Sequence, residues 1–259
     1  MDILLTNDDG YESYGIHALY DALESIGNVT IVAPRDDQSA TGRTHSTSVE
    51  YDERERGYVI DGTPVDCILT GTELFVPKPD LVVAGCNQGA NAGGHTLARS
   101  GTVSAAVEAT FKGIPAIAIS LYIPESQWPL QHDEPSLYEE AKRTIRVLVN
   151  KTVPSEIYDN GGYLNVNVPL PEESTHEIAV TQPSAFYSYD IEEQNGEISI
   201  ADNSWIVMDD EAVQFPPHTD RGALMNGQIS VSPLITPHQS ANIDTVSELL
   251  QLRNPHGTM

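Results

Sequence analysis

Basic residues are scarce in this 259-residue chain: 13 Lys and Arg stand against 38 Asp and Glu, a formal net charge of −25. Nucleic acids and anionic membranes are bound by neutralising phosphates with Lys and Arg, so both are excluded as partners. Cysteine is scarcer still. Cys67 and Cys86 are the only two, each lies in an apolar stretch suited to a buried thiol, and together they form no disulfide framework. No apolar run approaches the roughly 18 residues of a membrane span. Met1-Asp2 is acidic where a secretory leader has its positive region, so a cytoplasmic location is expected. Lysine is rare even among the bases, at Lys78, Lys112, Lys142 and Lys151. The acids are spread along the chain without a block of five or six that would mark a tail. Even acidity with few lysines is expected of a protein from a high-salt interior, where ions screen self-repulsion; the alternative is an unusually acidic protein of an ordinary cell.

What is present is enough to fold. A hydrophobic fraction of 39% is too high for a disordered acidic segment, and the length suits one α/β domain with a substantial core. Residues 3–6 read as a buried strand, followed by the turn Asn7-Asp8-Asp9-Gly10. Ile16, Leu19, Tyr20, Leu23 and Ile26 recur at helical spacing, and residues 29–33 form the next strand. Thr63-Pro64 opens a helix as N-cap and first helical residue. Residues 81–84 are a strand leading into a Gly-rich stretch, 102–112 a helix, 116–120 a strand, 137–149 a helix and 164–168 a strand. This alternation implies a Rossmann-like parallel sheet with helices on both faces. The core is expected over about 1–170. β-Hairpins are expected over about 171–235, with short runs at 198–200 and 229–231, and a terminal helix over about 241–253.

In such sheets ligands bind beyond the carboxyl ends of the strands, where strand order reverses. Three polar clusters fall directly after strands: Asn7-Asp8-Asp9-Gly10, Asp36-Asp37-Gln38-Ser39 after Pro34-Arg35, and Gly85-Cys86-Asn87-Gln88-Gly89-Ala90-Asn91. Each alone is ordinary turn chemistry. At one sheet edge, their carboxylates, hydroxyl and amide carbonyl make a set of hard oxygen donors suited to Mg²⁺, Mn²⁺ or Ca²⁺. The eight histidines show no spacing for a softer metal. Ser100-Gly101-Thr102 opens a helix whose free N–H groups suit an anion, and an ordinary N-cap uses the same donors. A P-loop, a G-x-G-x-x-G fingerprint and a nucleophile-elbow serine are all missing.

Leu4-Leu5-Thr6-Asn7-Asp8-Asp9-Gly10-Tyr11 resembles the opening of the SurE family (survival protein E) of metal-dependent 5′-nucleotidases. Asp61-Gly62-Thr63-Pro64-Val65-Asp66-Cys67, Ala84-Gly85-Cys86-Asn87, Ser100-Gly101-Thr102-Val103 and Gly227-Gln228-Ile229-Ser230-Val231-Ser232-Pro233-Leu234 follow the family's motifs in order over nearly the whole chain. Departures are Gln88 and Arg99, where the family usually has His and Tyr, and Ala40 after Ser39. The resemblance implies one divalent cation per subunit, Mg²⁺ or Mn²⁺, on Asp8, Asp9, Ser39 and Asn87. It also implies phosphate contacts from Asn91, Ser100, Gly101 and Thr102, with Asp8 and Asp9 catalytic. The expected reaction is hydrolysis of nucleoside 5′-monophosphates to nucleoside and phosphate. Asp8 activates the attacking water or, alternatively, attacks phosphorus itself. A broad phosphatase acting on polyphosphate or other monoesters, and a non-catalytic metal and nucleotide sensor, are the rival readings. The resemblance further implies a homodimer or homotetramer, with the aromatic-rich 171–235 region as the assembly element.

Overall fold

The computed structural model describes residues 1–128, 134–153, 155–210 and 213–236; the helix expected at 241–253 lies outside them. In chain order the elements are β1 (Asp2–Thr6), α1 (Tyr14–Leu23), β2 (Asn28–Pro34), β3 (Tyr51–Arg54), β4 (Gly57–Ile60), α2 (Pro64–Thr70), β5 (Leu81–Gln88), α3 (Gly94–Leu97), α4 (Gly101–Phe111), β6 (Ala116–Tyr122), α5 (Glu139–Thr152) and β7 (Gly162–Pro169). They are followed by β8 (Ile178–Val180), β9 (Tyr189–Gln194), β10 (Glu197–Asp202), α6 (Asp220–Met225) and β11 (Ile229–Ile235). Nine strands form one sheet in the order β3-β4-β2-β1-β5-β6-β7-β11-β8, and β9 and β10 form a separate antiparallel pair. The strands from β4 through β7 run parallel, as the alternation of strands and helices requires.

Side chains alternate across each strand, so one apolar run feeds two cores. Ile3 and Leu5 of β1, Leu81 and Val83 of β5, and Ile117 and Ile119 of β6 meet Ile16, Leu19 and Leu23 of α1 and Ile145 of α5. Leu4, Val82, Ala84, Ala116 and Ala118 point the other way, onto Cys67 and Ile68 of α2 and Val103, Ala106 and Val107 of α4. Both cysteines are buried thiols. α2 starts as expected: the Thr63 hydroxyl accepts from Asp66 N at 3.2 Å, and the Asp66 carboxylate accepts from Thr63 N at 2.9 Å.

Three features differ from the expectations. β5 does not stop at Ala84 but runs to Gln88 past a register shift between Ala84 and Asn87, so the Gly-rich stretch begins inside a strand. The run at 229–231 is not part of a hairpin extension. It belongs to β11, which pairs antiparallel with β7 and parallel with β8 and so widens the main sheet. The edge strand β3 turns back antiparallel on β4, from a stretch whose charges concealed it. The run at 198–200 does form a hairpin, β9–β10, with nearly every residue exposed.

Candidate active site

The sheet winds outward from β1 in both directions, through β2 and β4 on one side and β5, β6 and β7 on the other. β1 and its neighbours therefore form the switch in strand order, and the loops at their carboxyl ends converge. The turn after β1 is fixed by buried Asn7, whose Nδ2 donates to Gly10 O and to Ser13 Oγ, both at 2.8 Å. The loop after β2 is tied to it through Gln38 N, which donates to Asp8 O at 2.7 Å. The end of β5 is tied to it through Gln88 N, which donates to Asp9 Oδ2 at 2.9 Å. All three clusters that follow strands in the sequence therefore meet at one edge.

Asp8 is the buried member, 3% exposed, and it faces the start of α4. Thr102 N donates to Asp8 Oδ2 at 3.1 Å, and the Thr102 hydroxyl donates to Asp8 Oδ1. Burial pushes the Asp8 carboxyl above its ordinary range, and the two Thr102 bonds oppose that rise. Gly101 is required for this approach: a Cβ there would lie 2.8 Å from Asp8 Oδ2 and 2.9 Å from Asp8 Cβ. Ser100 caps the helix, accepting from Val103 N at 3.0 Å. Residues 100–102 are thus gathered at one helix start beside Asp8, with the Thr102 donors turned to the carboxylate.

Asn91 is held rigidly. Its N–H donates to Asn167 Oδ1 at 2.7 Å, and its Nδ2 donates to Ser120 Oγ at 2.9 Å. Its carbonyl accepts from Asn165 Nδ2 at 2.9 Å and Asn167 Nδ2 at 3.1 Å. Two residues on, Gly93 N donates to the buried Asp220 carboxylate at 2.7 Å. Asn165, Asn167, Ser120 and Asp220 are supports that the sequence reading did not select. Asparagines two apart in a strand of otherwise apolar residues were the available signal.

The oxygen donors fit a hard divalent cation. Two adjacent carboxylates, one of them buried at a cost in desolvation, lie beside an amide whose nitrogen is already committed. Asn87 Nδ2 donates to Gly89 O, which leaves its Oδ1 as the available donor. Among the described residues no three His, Cys, Asp or Glu side chains group for a metal, so amide and hydroxyl oxygens must complete any such set. Ser39 is exposed, and its N–H and hydroxyl both bond Asp37 Oδ1, at 2.8 and 2.6 Å. It is Asp37 that lines, with Asp9, Ser13, Gln88 and Tyr138, a cavity of about 230 Å³ at this edge. Positive side chains contribute little: Arg35 pairs with Asp52 at 2.7 Å and Arg43 with Glu108 at 3.1 Å. Arg99 Nη1 donates to Tyr189 Oη at 2.8 Å.

Comparison with known proteins gives the same picture. A family model described as "Survival protein SurE" matches residues 3–189. The chain is 46% identical to the 5′-nucleotidase SurE of Natronomonas pharaonis, over 97% of this chain and 99% of that one. It is 43% identical to the 5′-nucleotidase SurE of Haloarcula marismortui, over 98% and 95%. Both sources are halophilic archaea, in keeping with the acidic composition. The crystal structure of the SurE protein from Aquifex aeolicus superposes with a TM-score of 0.80 at 31% identity, covering 97% of this chain and all of that one. With its motifs in order, its fold shared and its polar loops gathered at the switch of the sheet, the chain belongs to the SurE family.

Proposed function

We propose that the chain hydrolyses nucleoside 5′-monophosphates to nucleoside and inorganic phosphate. The observation that carries this reading is the buried Asp8 carboxylate held against the Gly101–Thr102 helix start, beside Asp9 and the Asn87 amide oxygen. The relatives named 5′-nucleotidase SurE support the same substrate class. A divalent cation, Mg²⁺ or Mn²⁺, held by Asp8, Asp9, Asn87 and Ser39, would supply the positive charge that this acidic surface lacks and would acidify water at the site. The Gly101 N–H and the Ser100 hydroxyl at the start of α4 donate to phosphate oxygens, and the fixed Asn91 loop bounds that pocket. Thr102 acts through Asp8, holding its carboxylate in place. Asp8 takes a proton from the attacking water as the new P–O bond forms. The bond from phosphorus to the nucleoside O5′ breaks, the departing oxygen takes a proton from solvent water, and Asp8 gives its own proton up to solvent.

Asp8→Asn is expected to keep the circular dichroism of the wild type and to lose phosphate release from AMP; wild-type turnover in that variant overturns the assignment. Excess EDTA is expected to silence the wild type until Mg²⁺ or Mn²⁺ is restored, and full activity in chelator refutes the metal role. A panel including polyphosphate and pyridoxal phosphate separates a nucleotidase from a broad phosphatase. Assembly as a homodimer or homotetramer is supported by β9–β10, where Ile191 is 68%, Ile198 63% and Ile200 68% exposed on one face. A two-stranded hairpin with an uncovered apolar face is marginal alone. A monomer mass by light scattering in molar KCl would refute it.

A further inference from the structure

The chain has only two tryptophans, Trp128 and Trp205. Although 77 residues apart in sequence, both line one cavity of about 250 Å³, together with Gly89, Ala90 and Ile123. The turns beside them, Glu125–Gln127 and Ile206–Asp209, pack against each other and bring the two indoles to the same opening. The cavity adjoins the candidate active site directly. Its floor, Gly89-Ala90, joins Asn87 to Asn91, and Asn87 Nδ2 donates to Gly89 O. Gly89 has φ +119°, and a Cβ there would lie 3.8 Å from the Trp128 ring, so the backbone runs close under the indole. Trp128 is 47% exposed although its neighbour Ile123 is buried. Trp205 is fixed from behind: the guanidinium of buried Arg221 sits 4.6 Å from its ring centroid, and Arg221 Nη2 donates to Ala92 O at 3.2 Å.

Resting on the nucleotidase reading, we infer that this cavity is the base subsite, and that Trp128 and Trp205 select purine nucleoside monophosphates by stacking. The volume is below the roughly 300–1,000 Å³ of sites that enclose a whole drug-sized ligand, and it suits a flat ring system entering from a phosphate held next door. Every nucleobase presents a π face to an indole, and a fused purine presents two rings where a pyrimidine presents one. Among the described residues no charged side chain lines the opening, so recognition by them is by ring overlap, which high salt does not screen. The phosphate is therefore held by the Asp8 and α4 edge, and the base by the two indoles.

The test compares AMP, CMP and the base-free ester ribose 5-phosphate as substrates of the wild type, Trp128→Ala and Trp128→Phe, in molar KCl with Mn²⁺. Trp128→Ala is expected to raise KM for AMP roughly tenfold or more, the loss of one stacking partner. It is expected to raise KM for CMP less, to leave ribose 5-phosphate and the kcat for AMP within about twofold, and to be rescued largely by Trp128→Phe. Equal effects on AMP and ribose 5-phosphate, or no effect on either, overturn the inference. A second measurement is independent of turnover. Both emitting side chains lie in the subsite, so adenosine, which has no phosphate, is expected to quench tryptophan fluorescence saturably in chelator-treated wild type and more weakly in Trp128→Ala. Absence of quenching also overturns it. If the wild type hydrolyses none of the three esters, the phosphatase reading falls instead, and the base subsite stands or falls on the adenosine titration.

Discussion

Asp8 is a carboxylate with little water around it, and two donors from a single residue, Thr102, keep its charge tolerable. Removing the hydroxyl donor in Thr102→Val leaves the shape nearly unchanged and one oxygen of a buried carboxylate short of a partner. Hydrogen bonds to charged groups contribute about 1.5–3 kcal/mol. The variant is therefore expected to lose about that much stability in chemical denaturation at fixed salt, and at least tenfold in kcat, whereas Thr102→Ser retains most of both. An unchanged unfolding midpoint in Thr102→Val would separate Thr102 from Asp8. Gly101→Ala tests the same contact from the steric side. Alanine is the better helix former by roughly 1 kcal/mol, yet its Cβ would meet Asp8 Oδ2 at 2.8 Å, and crowding in a tight site costs about 1–3 kcal/mol. Net destabilisation with loss of phosphatase activity is expected, and a stabilised, active variant would show that Asp8 can move aside. At this scale the sequence is informative about residue types and uninformative about pairing. Asp8 stands out because it follows an apolar run in a turn, but its tie to Thr102 joins positions 94 apart, and only the fold brings them together. Nothing in Asp36-Asp37-Gln38-Ser39 by itself shows that Asp37 faces the cavity, while Ser39 is the residue the family resemblance implies.

Between elements, one buried polar tie is Glu140, 3% exposed near the start of α5. Its carboxylate accepts from Arg143 Nη2 at 2.6 Å and Ser174 Oγ at 3.1 Å, and lies 3.0 Å from His176 Nδ1. Helix α5 is thereby clasped to the segment that leads into β8. Burial pushes the Glu140 carboxyl up, but the bonds from Arg143, His176 and Ser174 outweigh it and hold the group below its usual range. A carboxylate with a depressed folded-state pKa stabilises the protein above its unfolded value of roughly 4.3, and that stability is lost as pH falls through the folded value. Glu140→Gln is expected to cost about 1–2 kcal/mol at pH 7, a figure reduced because Arg143 and His176 are partly open to solvent. The gap to wild type should close in acid, as followed by unfolding midpoints from pH 7 down to 3; a gap constant across that range would contradict the assignment. The parallel core was legible in the sequence because each strand is an apolar run between turn residues, and α2 because Thr63-Pro64 marks its start. The sequence of β11 suits a hairpin strand equally well, because its pairing partner β7 lies some 60 residues earlier and short alternating runs do not reveal which sheet they join. β3 is not legible in the sequence, because an exposed edge strand written Tyr-Asp-Glu-Arg carries no alternating apolar pattern.

Across the whole molecule, 38 acids face 13 bases, and the bases are largely engaged in pairs such as Lys112–Glu73 at 2.6 Å and Arg56–Asp21 at 3.0 Å. The excess of negative charge therefore sits unneutralised on the surface, where it opposes compaction and repels an anionic substrate alike. Screening acts on both: the Debye length falls from about 10 Å at 0.1 M salt to about 3 Å at 1 M. The unfolding temperature is accordingly expected to rise with KCl into the molar range, and KM for AMP to fall over the same range. Sucrose separates screening from general exclusion, because it favours the compact state without screening charge. It is expected to raise the unfolding temperature while leaving KM where low salt puts it. Best stability and best kcat/KM at roughly 0.05 M salt would contradict the adaptation. The site variant Asp8→Asn adds a discriminating control. It removes one charge of the excess from a buried position and leaves the surface intact, so its unfolding temperature should climb with KCl on the same slope as the wild type. A flattened slope would instead place the salt requirement in the active site, with Asp8 and its neighbours as its origin.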